Sequence, residues 1–337
     1  HMTTVVTGAS GHVGVNLVQE LINENQQVRA LFHKHKQPLN GLDVDIVCCD
    51  ICDLDSLQNA FKGAEVVYHL AARISISMDD WPLLETVNVT GTRNVVDACI
   101  SCGVRRLIYF SSIHALVQEP LDIPVDESHP WAESDNIPYS RAKALASKEV
   151  INGITKGLDA IILTPTGIIG PNDYQLSYFG EVLLALAHGR LPALINSGFN
   201  WVDVRDVVEG AIRAEKFAPK GAHYLLSGHW VSLREVASLV ADITGTPAPR
   251  IVLPMWLARI GIPVFSALYR LSGNRPLYTS GSIKSLQGNP KISHDRATHD
   301  LGYQPRPFRK TIIDTLRWFD ETGQLKQPLK IELEESI

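Results

Sequence analysis

Six short apolar runs, at 3–7, 27–32, 45–48, 65–69, 106–110 and 160–164, punctuate the first half of the chain. They are near-continuous rather than alternating, the pattern of strands buried on both faces of a parallel sheet. The stretches between them carry helical spacing. Val13, Leu17 and Leu21 form one stripe, and Val87, Thr90, Asn94 and Val95 lie on a longer helix ending near Gly103. Strands and helices in this order predict an α/β fold with a doubly wound parallel sheet and right-handed crossovers.

Past residue 165 the alternation fades into loops rich in Gly, Pro and aromatics, with short helices at 174–188 and 233–244. The stretch 201–204 reads as a strand returning to the main sheet. The expected organisation is a doubly wound domain over residues 2–165 and a smaller, interleaved C-terminal substrate-binding region over 166–325. About 199–217 of that region returns to the first domain, and 326–337 forms a tail.

Composition narrows the classes. The chain has 337 residues, 45% hydrophobic and 20% charged, enough for a sizeable core. A net charge of −5 without a basic run argues against a nucleic-acid partner. Five cysteines in no disulfide spacing fit a reducing cytoplasm. Cys48, Cys49 and Cys52 have no His or Cys pair downstream at finger-like spacing, so no metal site is expected. No apolar run is long enough to span a membrane, and His1-Met2 reads as the remnant of a cleaved tag. The apolar stretch 251–271, with Trp256, Phe265 and Tyr269 and broken by Pro254, Arg259 and Pro263, could wall an apolar substrate, rest on a membrane surface or simply pack.

Candidate chemistry begins at Thr7-Gly8-Ala9-Ser10-Gly11-His12-Val13-Gly14, between the first strand and the first helix. Gly8 allows a tight turn, Gly11 a close backbone approach to a pyrophosphate, and Gly14 close packing of helix on sheet. The helix N-terminus faces the phosphates. Three spaced glycines are a weak signal alone; the strand–turn–helix context makes this a Rossmann dinucleotide site. After the second strand comes His33-Lys34-His35-Lys36, with no acid to hold a ribose 2′-hydroxyl, which favours NADP(H) over NAD(H). Asp50, beside Ile51, could accept from an adenine amino group, while Asp50 or Asp53 could equally cap the next helix. Small residues at Leu70-Ala71-Ala72 leave room for the cofactor beyond the fourth strand.

Tyr139 and Lys143 are four apart on a helix expected to begin at Pro138, and so share one face. A free phenol, with a pKa near 10, is a poor proton carrier at neutral pH. A nearby ammonium would lower that value. Ser112, at the end of the fifth strand, can hold a substrate carbonyl near Tyr139. Each piece alone has an ordinary reading as a solvated pair or a polar loop; their order along the chain is what carries weight.

The chain resembles the extended short-chain dehydrogenase/reductases, the NAD-dependent epimerase/dehydratase family. The resemblance rests on 7–14, 50–53, 69–72, Asn88-Val89-Thr90-Gly91-Thr92, 109–112, 139–143, 165–171 and 201–207, with the ending Leu301-Gly302-Tyr303-Gln304-Pro305. It implies catalytic roles for Ser112, Tyr139 and Lys143. It also implies Asn88 near the nicotinamide side, and Pro165 and Ile168 behind the nicotinamide ring. Ile113-His114 stands where sugar-nucleotide 4,6-dehydratases carry Asp-Glu, and Phe199-Asn200 where many epimerases carry Arg-Asp. The pattern is nearer the dihydroflavonol 4-reductase and 3β-hydroxysteroid dehydrogenase branch, although His33 stands where the reductases often have Arg. His114, Tyr174 and Phe179 are substrate-pocket candidates. The implied activity is hydride transfer between a nicotinamide and a carbonyl or secondary alcohol of a small to medium apolar substrate. Alternatives are a sugar-nucleotide epimerase with tightly bound NAD and a cofactor-sensing regulator without turnover. A homodimer is a family-level expectation.

Overall fold

A computed structural model describes residues 3–75, 77–261 and 286–330. Its frame is a seven-stranded sheet, parallel throughout. The strands are β1 (Thr3–Thr7), β2 (Gln27–Phe32), β3 (Asp45–Cys48), β4 (Ala64–His69), β5 (Arg106–Phe110), β6 (Ala160–Pro165) and, further along the chain, β10 (His223–Leu226). Their order is β10-β6-β5-β4-β1-β2-β3. The direction of winding reverses between β1 and β4, and in open parallel sheets ligands bind beyond the carboxyl ends at that point.

The apolar runs form strands because both faces are covered. On one face lie α1 (His12–Asn23) and, later, α7 (Val204–Phe217), with Leu17, Leu21, Val207 and Ala211 fully buried. The other face is covered by α2 (Leu54–Phe61), α4 (Gly91–Ser101) and α5 (Pro138–Thr155), through Leu57, Phe61, Val95 and Val150. A short α3 (Trp81–Leu84) runs into α4 through a π-helical stretch, Glu85–Thr90. Single π turns inside helices often mark functional sites.

The second half departs from expectation in three places. The predicted returning strand is β9 (Gly198–Asp203). It does not join the main sheet but sits centrally in a three-stranded sheet, β11-β9-β7, with β7 (Gly167–Ile169) and β11 (His229–Ser232). Its apolar residues announced burial without naming the partner strand. The helix that follows, α7, does return to pack on the main sheet, and β10 takes the seventh place. The helix expected over 174–188 is α6 (Tyr178–Ala187). Asn172 and Leu176, at φ 64° and 48°, keep the preceding turn non-helical, and the Ser177 side chain caps the first turn.

The remaining elements are β8 (Ala193–Ile195), paired with β12 (Ile251–Leu253), together with α8 (Leu233–Thr244), α9 (Asp295–Leu301) and α10 (Phe308–Glu321). Of the apolar stretch 251–271, Trp256 and Ile260 are exposed. Phe265 and Tyr269 lie outside the described residues, as does 331–337 of the tail. Among the described residues no helix is long and apolar enough to cross a membrane.

Candidate active site

The turn after β1 is shaped by contact with the strand-end loop after β4. Gly8 adopts φ 66°, and a β-carbon there would lie 2.7 Å from the Ala71 nitrogen. A β-carbon at Gly14 would collide with the Gly8 carbonyl oxygen and approach Ala9 to 2.8 Å. Both positions therefore require glycine, one for conformation and one for close packing. Gly11 is the N-cap of α1, and no side chain caps that helix. The free N–H groups of its first turn, around His12 and Val13, suit a pyrophosphate. The residues present thus fit a dinucleotide.

Thr7 ties the two loops together. Its hydroxyl oxygen accepts from the backbone N–H groups of Leu70 and Ala71, each at 3.2 Å, and lies 2.8 Å from His69 Nδ1. With two N–H donors already on the oxygen, its proton goes to Nδ1, so His69 carries its proton on Nε2 and donates to Thr92 Oγ1, 3.0 Å away. Burial, and next the Lys143 charge, hold the imidazole neutral and push its pKa down to about 3. Asn88, buried on the π turn, spends its amide on Arg73, accepting from the N–H at 2.7 Å and donating to the carbonyl at 2.9 Å. It fixes the loop that carries Ala72.

At the far end, Asp53 is the helix cap, accepting from Asp55 and Ser56 backbone N–H groups. Asp50 caps nothing: one oxygen accepts from Cys52 N at 2.9 Å and the other lies 3.8 Å from His33 Nε2. Ile51 is buried under Gly91. His33 and Lys34 are exposed at the end of β2.

A strap at 171–175 crosses the glycine turn, which the spacing of the sequence did not reveal. His12 Nε2 donates to the Pro171 carbonyl at 3.0 Å, and Asn16 donates to it at 3.1 Å. Asn172 donates to Asn16 at 3.0 Å, and Gln175 donates to the Ser10 carbonyl at 2.9 Å. Tyr174 is half exposed and meets Trp318 edge-on, centroids 5.2 Å apart. Phe179 packs against Phe199 at 4.9 Å and Trp201 at 4.7 Å, just behind Gly167. Pro165 ends β6 and Ile168 lies on β7, on either side of that turn.

The three candidate catalytic residues come together at the carboxyl end of β5. Ser112 opens a short 3₁₀ turn, its hydroxyl accepting from the His114 backbone N–H at 3.3 Å and lying close to the Tyr139 phenol. Tyr139 lies on the first turn of α5, which Pro138 starts, and Lys143 lies one turn on. Burial pushes the phenol up to about 12, an effect the nearby Ser112 hydroxyl only partly offsets. Lys143 is buried, donates to the Phe110 carbonyl at 2.7 Å, and is pushed down to about 7 by burial. His114 stands edge-on to Tyr139, centroids 6.1 Å apart, and burial lowers its pKa to about 4. In this form the phenol is a proton donor, the lysine is poised near neutrality, and a neutral imidazole flanks the phenol.

A doubly wound sheet with a glycine turn at its switch point and a Ser, Tyr and Lys cluster beyond β5 defines the extended short-chain dehydrogenase/reductase class. Residues 5–217 match the family described as 3-beta hydroxysteroid dehydrogenase/isomerase, and the chain belongs to that family. Sterol demethylase protein B of Methylococcus capsulatus is 34% identical over 332 residues, spanning 96% of this chain and 100% of that protein. A putative dihydroflavonol 4-reductase of Synechocystis is 30% identical over 95% of each chain. The crystal structure of gox2253 superposes with a TM-score of 0.84 at 33% identity, covering 97% of this chain and 100% of that one. The protein is an oxidoreductase of the extended short-chain type.

Proposed function

We propose that the protein moves hydride between NADP(H), in preference to NAD(H), and a carbonyl or secondary alcohol on a small to medium apolar substrate. The observation that carries this reading is the gathering of three side chains at the end of β5: Ser112 opens the turn there, Tyr139 starts the helix beside it, and Lys143, buried one helical turn on, donates to the Phe110 carbonyl at 2.7 Å. Gly8, Ser10, Gly11, His12, Val13 and Gly14 hold the pyrophosphate; Asp50 and Ile51 border the adenine, and His33 and Lys34 the adenosine ribose. Leu70, Ala71, Ala72, Asn88, Pro165 and Ile168 line the nicotinamide end. Bound there, the cofactor supplies or accepts the hydride.

The protein's own part is to hold the oxygen and move the proton. Ser112 and Tyr139 both donate to the substrate oxygen and polarise the carbonyl. In reduction Tyr139 then gives its proton to the forming alkoxide; in oxidation the phenolate takes it back. A phenol near 12 suits the first role. Lys143, as an ammonium, stabilises the phenolate that the first role leaves behind. The aromatic group of Phe179, Phe199 and Trp201 behind Gly167 favours apolar substrates, as do the names of the sterol and dihydroflavonol relatives. His114, edge-on to Tyr139, and Tyr174, edge-on to Trp318, are further substrate contacts in this reading.

The test is isotopic. With NADPH deuterated on the nicotinamide C4 and an apolar ketone, the label should appear on the carbinol carbon of the alcohol in stoichiometric amount. Alcohol formed without label would overturn the reading.

A further inference from the structure

Lys143 is buried yet has no carboxylate partner among the described residues: burial alone sets the direction of its shift. Charges on the elements packed around α5 are engaged elsewhere. Arg93 pairs with Glu149 at 2.8 Å, Lys148 with Glu133 at 3.2 Å and Lys156 with Asp97 at 4.0 Å. Arg141 lies over the Trp81 ring and Glu85 is exposed. His114, on the 3₁₀ turn, and His69, on β4, are held neutral by burial. What faces the ammonium is the Phe110 carbonyl at 2.7 Å and the ring of Tyr109, its centroid 5.0 Å from Nζ. Tyr109 is itself immobilised: it is buried on β5, and its ring lies 5.6 Å from that of His69. His69 in turn is pinned by Thr7 and Thr92.

An aromatic face within about 6 Å attracts a cation, most strongly where water is excluded. A buried lysine needs such help to stay charged. We propose that Tyr109 is a positioning residue for the reaction: its ring face holds Lys143 as an ammonium in an otherwise uncharged pocket, and thereby sets the pH at which Tyr139 exchanges its proton. This rests on the reading of Tyr139 as the proton carrier. Tyr109 touches neither substrate nor cofactor and acts only through Lys143.

The test keeps the shape of the core and changes only the ring's electrons. Tyr109→Phe is the reference, and phenylalanines carrying one, two and three ring fluorines are then placed at 109 to drain the face stepwise. Weaker attraction makes the ammonium easier to deprotonate, so the support it gives the phenolate left by proton transfer is lost at lower pH. The high-pH limb of kcat/KM for ketone reduction, which follows loss of the ammonium, should therefore move downward with each fluorine, by about one pH unit over the series. The Lys143 side-chain titration, followed by carbon NMR on the same proteins, should move downward in step. A limb and a lysine titration that ignore fluorination would overturn the proposal. Tyr139→Phe separates the two levels. If it is inactive while fluorination moves nothing, only the role of Tyr109 fails; if it turns over normally, the reading of Tyr139 fails and the proposal with it.

Discussion

Lys143 donates to the Phe110 carbonyl at 2.7 Å from a buried position, and burial brings its pKa from 10.5 down to about 7. The consequence for stability has a definite sign. Between pH 7 and 10.5 the unfolded chain keeps a proton that the folded chain has released, so this group makes stability rise with pH across that window. Below pH 7 the full cost of the buried charge is present. Lys143→Met should abolish activity, flatten the slope by up to one proton, and raise stability at pH 7, as read by urea unfolding at several pH values. An unchanged slope would show that the lysine is not held near neutrality.

His69 works on the acid side. Its pKa is about 3 in the folded protein against 6.5 in the free side chain. As pH falls below 6.5 the unfolded chain takes up a proton that the folded chain refuses, so stability declines through this window. His69→Gln should reduce the acid slope by up to one proton between pH 6 and about 4, measured by the same unfolding series. It should also weaken cofactor binding, because Thr7 and Thr92 lose the ring that joins them.

Gly14→Ala forces a β-carbon into the Gly8 carbonyl oxygen. We expect a loss of about 1–3 kcal/mol in unfolding free energy and a cofactor affinity lowered at least tenfold, since the glycine turn must shift. Gly63→Ala is the comparison. Gly63 has a positive φ, 73°, but its β-carbon would meet nothing within 4 Å. It should lose stability through backbone strain while cofactor affinity stays unchanged. Equal affinity loss in both variants would remove the glycine turn from the binding site.

His33 and Lys34 carry the expected preference for the phosphorylated cofactor. His33→Asp places a carboxylate where a 2′-phosphate would sit. Calorimetry should show NADPH binding weakened at least tenfold and NADH binding unchanged or tighter. If both cofactors bind the variant as they bind the parent, the loop after β2 does not read the ribose.

Much of this site was legible in the residues themselves. The runs 3–7, 27–32 and 106–110 became strands with those bounds, because buried parallel strands are continuous apolar segments that glycine turns interrupt. Tyr139 and Lys143 share a face because Pro138 does start the helix. What escaped notice depends on contacts between distant residues. Gln175 reaches Ser10 across 165 positions, and a glutamine in a loop carries no mark of its partner. Trp201 is buried as its neighbours suggest, but apolar character does not say which sheet receives a strand, so the pattern points β9 to the main sheet and leaves β10 unmarked. The choice between Asp50 and Asp53 as helix cap was likewise open until the turn geometry separated them.

The central claim, exchangeable nicotinamide cofactor used for ketone reduction through Tyr139, is tested most directly by one paired measurement. NADPH and NADH binding are followed by calorimetry, and NADPH oxidation is then recorded with a panel of apolar ketones, for the parent protein and for Tyr139→Phe. The account predicts reversible NADPH binding in both proteins, ketone-dependent oxidation by the parent, and a rate lowered by about 10²–10⁴ in the variant. Firmly retained NAD with no ketone turnover, or a variant as fast as the parent, would contradict it.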